Sequence, residues 1–180
     1  MPDINIGQEI IDGCKQKNKQ SQEDLYKACY VPFMKIGLRY APSYEDAAEI
    51  LNDTFLKIFT KIDSYTGNGN FIGWMRRILV NTAIDRIRQQ KEETHVNIED
   101  VSHKTEQHEE TKFVIDEKQL LSAIRSLPAM HSKVFNLYAM EEYSHKEIAD
   151  MLGITLELSR YYLFNARKML QEKVAPLLNE

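Results

Sequence analysis

The chain has 180 residues, of which 43% are hydrophobic, and a formal net charge of −4. This composition supports a buried core, but no apolar run reaches the roughly 18 residues of a membrane-spanning helix, and the N-terminus lacks the basic and apolar stretches of a secretory signal. Cys14 and Cys29 match no metal-ligand spacing, so we expect reduced thiols in a cytoplasmic protein, with a disulfide between them as the alternative.

The acidity of the chain is concentrated in one segment. Residues 92–110 hold seven acids and one lysine, a net charge of −6, so the remainder carries +2. The segment also lacks hydrophobic periodicity, which indicates a flexible acidic linker over residues 92–112. The net charge of the whole chain therefore does not exclude a nucleic-acid partner.

Helical patterns follow one another before this linker. A helix is expected from Ser21 towards Tyr40, and a second begins after Ser43, whose hydroxyl can cap it. Glycine and asparagine in residues 66–70 predict a loop, and a third helix is expected over residues 71–91.

The second helix is acidic on one side, through Asp46, Glu49 and Asp53. An acidic stripe repels DNA and attracts a basic protein partner. A solvated helix surface explains the same stripe, and from this feature alone it is the favoured explanation.

The third helix combines aromatic and basic residues beside the glycine loop. Phe71 and Trp74 lie at the loop end, and Asn81 and Asp85, four residues apart, share a face. Rings beside cations are typical of sites for unstacked bases, although a basic solvated face with Trp74 in the core fits equally. The positive residues of this helix are Arg76, Arg77, Arg86, Arg88 and Lys91.

Residues 144–170 have the pattern of a helix-turn-helix. Ser144 and Glu147 are spaced for a capping box, Gly153 suits a turn with positive φ, and Thr155 can cap the second helix. That helix would enter the major groove of DNA, whereas a plain helical hairpin is the alternative. One of its two adjacent tyrosines is expected to be a core residue rather than a contact. The polar and aromatic residues it offers are Arg160, Tyr161, Tyr162, Asn165, Arg167 and Lys168.

The sequence thus predicts an all-α protein with two helical domains, 1–91 and 113–180, joined by a flexible acidic linker over 92–112. No phosphate-binding glycine loop, metal-ligand spacing or catalytic triad is evident. We therefore expect no enzymatic activity, no cofactor and no bound metal.

Taken in order, these segments resemble a bacterial RNA polymerase sigma factor of the extracytoplasmic-function (ECF) type. Residues 46–55 are similar to the family pattern D-A-E-D-I-x-Q-D-x-F, with Ala48 for glutamate and Asn52 for glutamine. Residues 69–88 fit G-x-F-x-x-W-L-x-R-I-x-x-N-x-x-I-D-x-x-R in register, with methionine for leucine. In the last helix, Glu157-Leu158 stands where the family often has G-T.

This resemblance implies a transcription initiation factor that melts and reads the −10 promoter element and reads the −35 element. The polymerase-docking residues, on the clamp coiled coil of the largest subunit, would be Asp46, Glu49, Asp53 and Phe55. The −10 contacts would be Phe71, Trp74, Arg76, Arg77, Asn81, Asp85 and Arg88. The −35 contacts would be Ser144, His145, Arg160, Tyr161, Asn165, Arg167 and Lys168. The linker would run towards the RNA exit path, and an anti-sigma factor is an expected partner.

Two other functions remain open at this point. A free-standing helix-turn-helix regulator would use the C-terminal domain alone, and it leaves the acidic and basic helices of the N-terminal domain unexplained. The second open function is a protein-interaction adaptor with a degenerate DNA-binding domain. The departure from the family pattern at Glu157-Leu158 favours this function.

Overall fold

The computed structural model describes residues 4, 6–67, 69–94 and 117–174. All regular secondary structure in these ranges is helical, and the chain divides into two compact units, Met1–Thr94 and His95–Glu180. The prediction of an all-α protein with two helical domains is confirmed. The predicted linker lies outside the described residues, except that the third helix continues through residues 92–94.

In its described residues, the N-terminal unit contains four α-helices and one short turn of 3₁₀-helix. α2 packs against α1, α3 and α4, and α3 also packs against α4. The elements are α1 (Gln8–Lys15), α2 (Lys19–Gly37), α3 (Tyr44–Lys61), the 3₁₀ turn (Ile62–Ser64) and α4 (Phe71–Thr94).

Side-chain caps define where two of these helices begin. The Ser43 hydroxyl accepts a hydrogen bond from the Asp46 amide at 3.0 Å, as predicted. The expected start at Ser21 is wrong by two residues, because the Asn18 side chain accepts the Ser21 amide at 3.0 Å and α2 begins at Lys19. In both cases a nearby side chain accepts a hydrogen bond from an amide that has no partner within the helix.

Apolar side chains from all four helices fill the core of this unit. Its largest fully buried members are Leu25, Phe33, Ile36, Ile50, Leu51, Ile58, Ile62, Met75 and Leu79. Cys14 and Cys29 are buried here as free thiols, so the alternative of a disulfide is wrong. Burial raises the pKa of Cys29 to about 11, which keeps this thiol protonated.

The C-terminal unit is a smaller helical bundle. α8 packs against α5, α6 and α7, and its buried face carries Leu163, Ala166 and Leu170. The elements are α5 (Glu117–Arg125), α6 (Ala129–Phe135), a π-helical turn (Asn136–Met140), α7 (His145–Leu152) and α8 (Leu156–Val174).

α7 and α8 form the predicted helix-turn-helix, and the predicted turn residues have their expected roles. Ser144 and Glu147 make the complete capping box, and Gly153 ends α7 with φ of 64° in the left-handed region that favours glycine. The Thr155 hydroxyl accepts the Leu158 amide at 3.2 Å at the start of α8. Within the described parts of the chain, every helix is too short or too polar to cross a membrane.

Candidate nucleic-acid and protein interfaces

The acidic face of α3 is paired with α4. The carboxylates of Glu49 and Asp53 are more than half exposed, and the Arg86 guanidinium hydrogen-bonds Glu49 and lies 3.6 Å from Asp53 Oδ2. Sequence reasoning assigned Arg86 to the basic, nucleic-acid side of α4. In the structure Arg86 turns instead towards α3 and neutralises part of the predicted docking face.

The other two residues predicted to dock on polymerase have structural roles. The Asp46 carboxylate accepts the Ser43 hydroxyl at 2.6 Å within the α3 cap. Phe55 is only 3% exposed, and its ring centroid lies 4.7 Å from that of Tyr26. Phe55 therefore lies on the buried stripe of α3 with Leu51, as its helical spacing predicts, and its role in polymerase docking stays a prediction.

Three aromatic rings cluster where the glycine loop meets α4. Phe71 and Trp74 stack with centroids 5.7 Å apart and an interplanar angle of 18°. Tyr65, which sequence reasoning missed, lies 4.9 Å from Phe71 and 5.6 Å from Trp74. Phe71 is buried and Trp74 is half-buried, so Trp74 is the more accessible of the two predicted rings.

Two hydrogen bonds of Tyr65 fix the ends of the loop before α4. Its hydroxyl donates to the carbonyl of Gly69 at 2.7 Å, and its own carbonyl accepts Lys15 Nζ at 3.0 Å. Tyr65 immediately precedes the loop 66–70, so an aromatic residue adjoining a glycine loop was the signal that could have identified it.

Most of the predicted −10 residues share one face of α4. Arg77, Asn81, Asp85 and Arg88 are exposed and recur at helical spacing, while Arg76 is half-buried. Asp85 Oδ2 lies 3.7 Å from Lys57 Nζ of α3. The face therefore presents two arginines, an amide and the Asp85 carboxylate to solvent, and it continues from the aromatic cluster along the helix.

The outward face of α8 carries most of the predicted −35 residues. Arg160, Tyr161, Arg167 and Lys168 are exposed, and Asn165 is half-buried. Tyr162 packs its ring edge-on against His131, with centroids 4.9 Å apart. As expected, only one of the two adjacent tyrosines is turned inward.

Ser144 and His145 are engaged within the fold. The Ser144 hydroxyl and amide both donate to the Glu147 carboxylate, at 2.7 and 2.9 Å. His145 stacks on Tyr138 at 4.6 Å, and its Nδ1 lies 2.9 Å from the hydroxyl of Ser159. Ser144 thus caps α7, and His145 links α7 to Tyr138 and to α8.

Both described histidines of the C-terminal unit resist protonation. Burial lowers the pKa of His145, and the nearby positive charges of Arg160 and Arg167 lower it further. Burial also lowers the pKa of His131, whose Nδ1 is enclosed without a hydrogen-bond partner among the described residues.

Acidification from pH 7.5 to 5.5 is expected to destabilise the C-terminal unit. The unfolded chain binds protons at these histidines near pH 6.5, whereas the folded unit does so only at lower pH, so stability is lost as pH falls through that window. Thermal unfolding of the whole chain, followed by circular dichroism at several pH values, measures this loss. The variant with His131→Leu and His145→Gln should show a flatter pH dependence, and an unchanged slope would contradict the assignment.

Two models of the same protein family match this chain. The model of sigma-70 region 2 matches residues 25–93, and the model of sigma-70 region 4 matches residues 117–170. The ECF RNA polymerase sigma-E factor of Haemophilus influenzae is 24% identical over 184 residues, covering 95% of this chain and 96% of that protein. The sigma-E factor of Escherichia coli K12 is 26% identical over 157 residues, covering 78% of this chain and 79% of its own.

A solved structure has the same fold. The sigma factor RpoE of Bartonella quintana, crystallised with the anti-sigma factor NepR, aligns with a TM-score of 0.57 at 18% identity, covering 85% of this chain and 98% of that one. The two family matches span α2 to α4 and α5 to α8, in the order in which regions 2 and 4 occur. The chain therefore belongs to the sigma-70 family, as a sigma factor of the ECF type.

Proposed function

We propose that this chain binds core RNA polymerase and directs it to a specific set of promoters. The observation that carries the proposal is the continuous exposed face of α4, which begins at the aromatic cluster and continues through Asn81 to Arg88. An aromatic ring can stack on an unstacked base while cations hold the adjacent phosphates. Such a face suits a melted −10 element better than intact duplex, in which base faces are inaccessible.

Trp74 is the ring proposed to stack on a melted base. The buried rings of Phe71 and Tyr65 pack against Trp74 and hold it in place. Arg77 and Arg88 hold phosphates, and Asn81 offers hydrogen bonds to a base edge. Phosphate contacts position the protein without reading sequence, so selectivity falls to Asn81 and the captured base.

The docking surface proposed for polymerase is reduced to Glu49 and Asp53. Both carboxylates are more than half exposed and lie one turn apart on α3, which suits a basic partner such as the clamp coiled coil. Ala48, where the family pattern has glutamate, makes this surface less acidic than the pattern.

The C-terminal unit is proposed to read the −35 element as duplex, with α8 in the major groove. Residues 1–94, to the end of α4, and 113–180 are the proposed working domains, and residues 95–112 are the proposed tether. An anti-sigma partner is part of the proposal, because the similar Bartonella quintana factor was crystallised with one. We propose that the chain acts in the cytoplasm and contributes no catalysis of its own.

Transcription in vitro tests the proposal directly. The purified chain is mixed with sigma-free core polymerase and promoter-length duplexes from its own genome, and the transcripts are sequenced. Discrete start sites that depend on the chain are expected, and Arg160→Ala should lower their use about tenfold through the loss of one −35 contact. Absence of start sites with a competent polymerase would contradict the proposal. If the chain were instead a protein-interaction adaptor, Arg160→Ala would leave promoter use unchanged.

A further inference from the structure

We propose that Tyr161 and Phe164 read the methyl groups of thymines in the −35 element. This inference rests on the proposed function and specifies what α8 recognises. Phe164 is 69% exposed and Tyr161 is 59% exposed. Two large exposed rings one helical turn apart form an apolar patch, and such a patch marks an interaction site more often than a single exposed residue does.

The two rings are not needed to hold α8 in its bundle. The buried side of the helix is formed by Ser159, Leu163 and Ala166, and Ser159 and Ala166 lie on the side opposite to Phe164. The Tyr161 ring meets the edge of the Tyr162 ring at 5.8 Å, and Tyr162 packs in turn on His131. Tyr161 is therefore oriented outward by a neighbour that is itself fixed.

The charges around the rings favour DNA as the occupant. Arg160, Arg167 and Lys168 are exposed on the side of α8 that carries the rings, and they outnumber Glu157, the acid four residues before Tyr161 on the same side. Phosphates on both sides of a major groove would pair with these cations while the rings lie between them. An apolar protein surface would make no use of three cations so close to the rings.

The major groove offers these rings one apolar feature. Each base edge there presents hydrogen-bond donors or acceptors, and thymine alone adds a methyl group at C5. Phe164 has no polar atom in its side chain, so the thymine methyl is the group on a base edge that it contacts most favourably. Because Phe164 lies one turn from Tyr161, two neighbouring thymine methyls are the expected target.

Removal of the methyl groups tests the assignment without altering any hydrogen bond. A promoter duplex selected by the transcription experiment is prepared with thymine or with uracil throughout its −35 region, and holoenzyme affinity and transcript yield are measured. Uracil should lower the affinity about fourfold for each methyl contacted. With Phe164→Ala the two duplexes should differ less, and Tyr161→Ala should have a similar effect.

A matched control separates this effect from general damage. Val31 is also an exposed apolar residue, at 62%, but it lies in the N-terminal unit, and Val31→Ala should keep the full discrimination between thymine and uracil. Equal affinity of the wild-type holoenzyme for both duplexes, with normal initiation, would overturn the methyl contact and leave the proposed function standing. If the Phe164→Ala holoenzyme discriminates between the two duplexes as the wild type does, the methyl contact is likewise overturned and the proposed function stands. This conclusion holds even if the variant no longer binds an anti-sigma partner. Absence of transcripts from every duplex would overturn both.

Discussion

Replacing Asn81 and Arg88 together by alanine is expected to abolish discrete start sites while leaving polymerase binding intact. Both residues are exposed on the same face of α4, and neither belongs to the buried core. A lost base contact and a lost charge-assisted phosphate contact together correspond to a reduction of roughly 100-fold or more. The yield of promoter-specific transcripts, measured with core polymerase at a fixed salt concentration, checks this expectation.

Gln89→Ala provides the matched control for this experiment. Gln89 is exposed and polar and follows Arg88 directly, but it lies about 100° around α4 from Arg88 and about 80° from Asn81, so its replacement removes neither of the two proposed contacts. It should initiate like the wild-type chain. Wild-type transcript yield from the Asn81 and Arg88 double variant would exclude this face of α4 from promoter reading.

Charge reversal on α3 is expected to remove polymerase binding. Asp53→Lys should weaken the affinity for core polymerase about tenfold, and addition of Glu49→Lys should bring the loss to about 100-fold or more, because like charges would then face a basic partner. Affinity is measured by fluorescence anisotropy of the labelled chain titrated with core polymerase. Circular dichroism checks that the helices are retained.

Asp63→Lys makes the same change of charge in the 3₁₀ turn after α3, where the carboxylate is exposed. It should bind core polymerase with the affinity of the wild-type chain. Equal weakening by Asp63→Lys and Asp53→Lys would mean that net charge rather than the α3 face governs the interaction.

The helices and the turn of this protein were predictable because their signals are local. The caps at Ser43, Ser144 and Thr155 each satisfy an amide within three residues, and Gly153 provides the positive φ that ends α7. The spacing of apolar residues then determines which side of each helix is buried. These interactions do not depend on how one helix packs against another.

The parts of the candidate sites that were missed depend on contacts between distant residues. Arg86 pairs with Glu49 across 37 positions, and Lys15 reaches Tyr65 across 50. His145 is fixed by Tyr138 and Ser159 from neighbouring elements. A sequence pattern shows that a residue is basic or aromatic, whereas the packing of helices decides whether it faces solvent, a partner or another side chain.

The pairing of Arg86 with α3 makes the two interaction surfaces of the N-terminal unit thermodynamically linked. A basic partner that binds Glu49 and Asp53 has to compete with Arg86 for the same carboxylates. Its arrival would release a guanidinium from the helix that carries Asn81 and Arg88, where that charge can be used by a nucleic acid. Because such coupling is reciprocal, a nucleic acid that captured Arg86 would strengthen the attraction of α3 for its partner by the same factor.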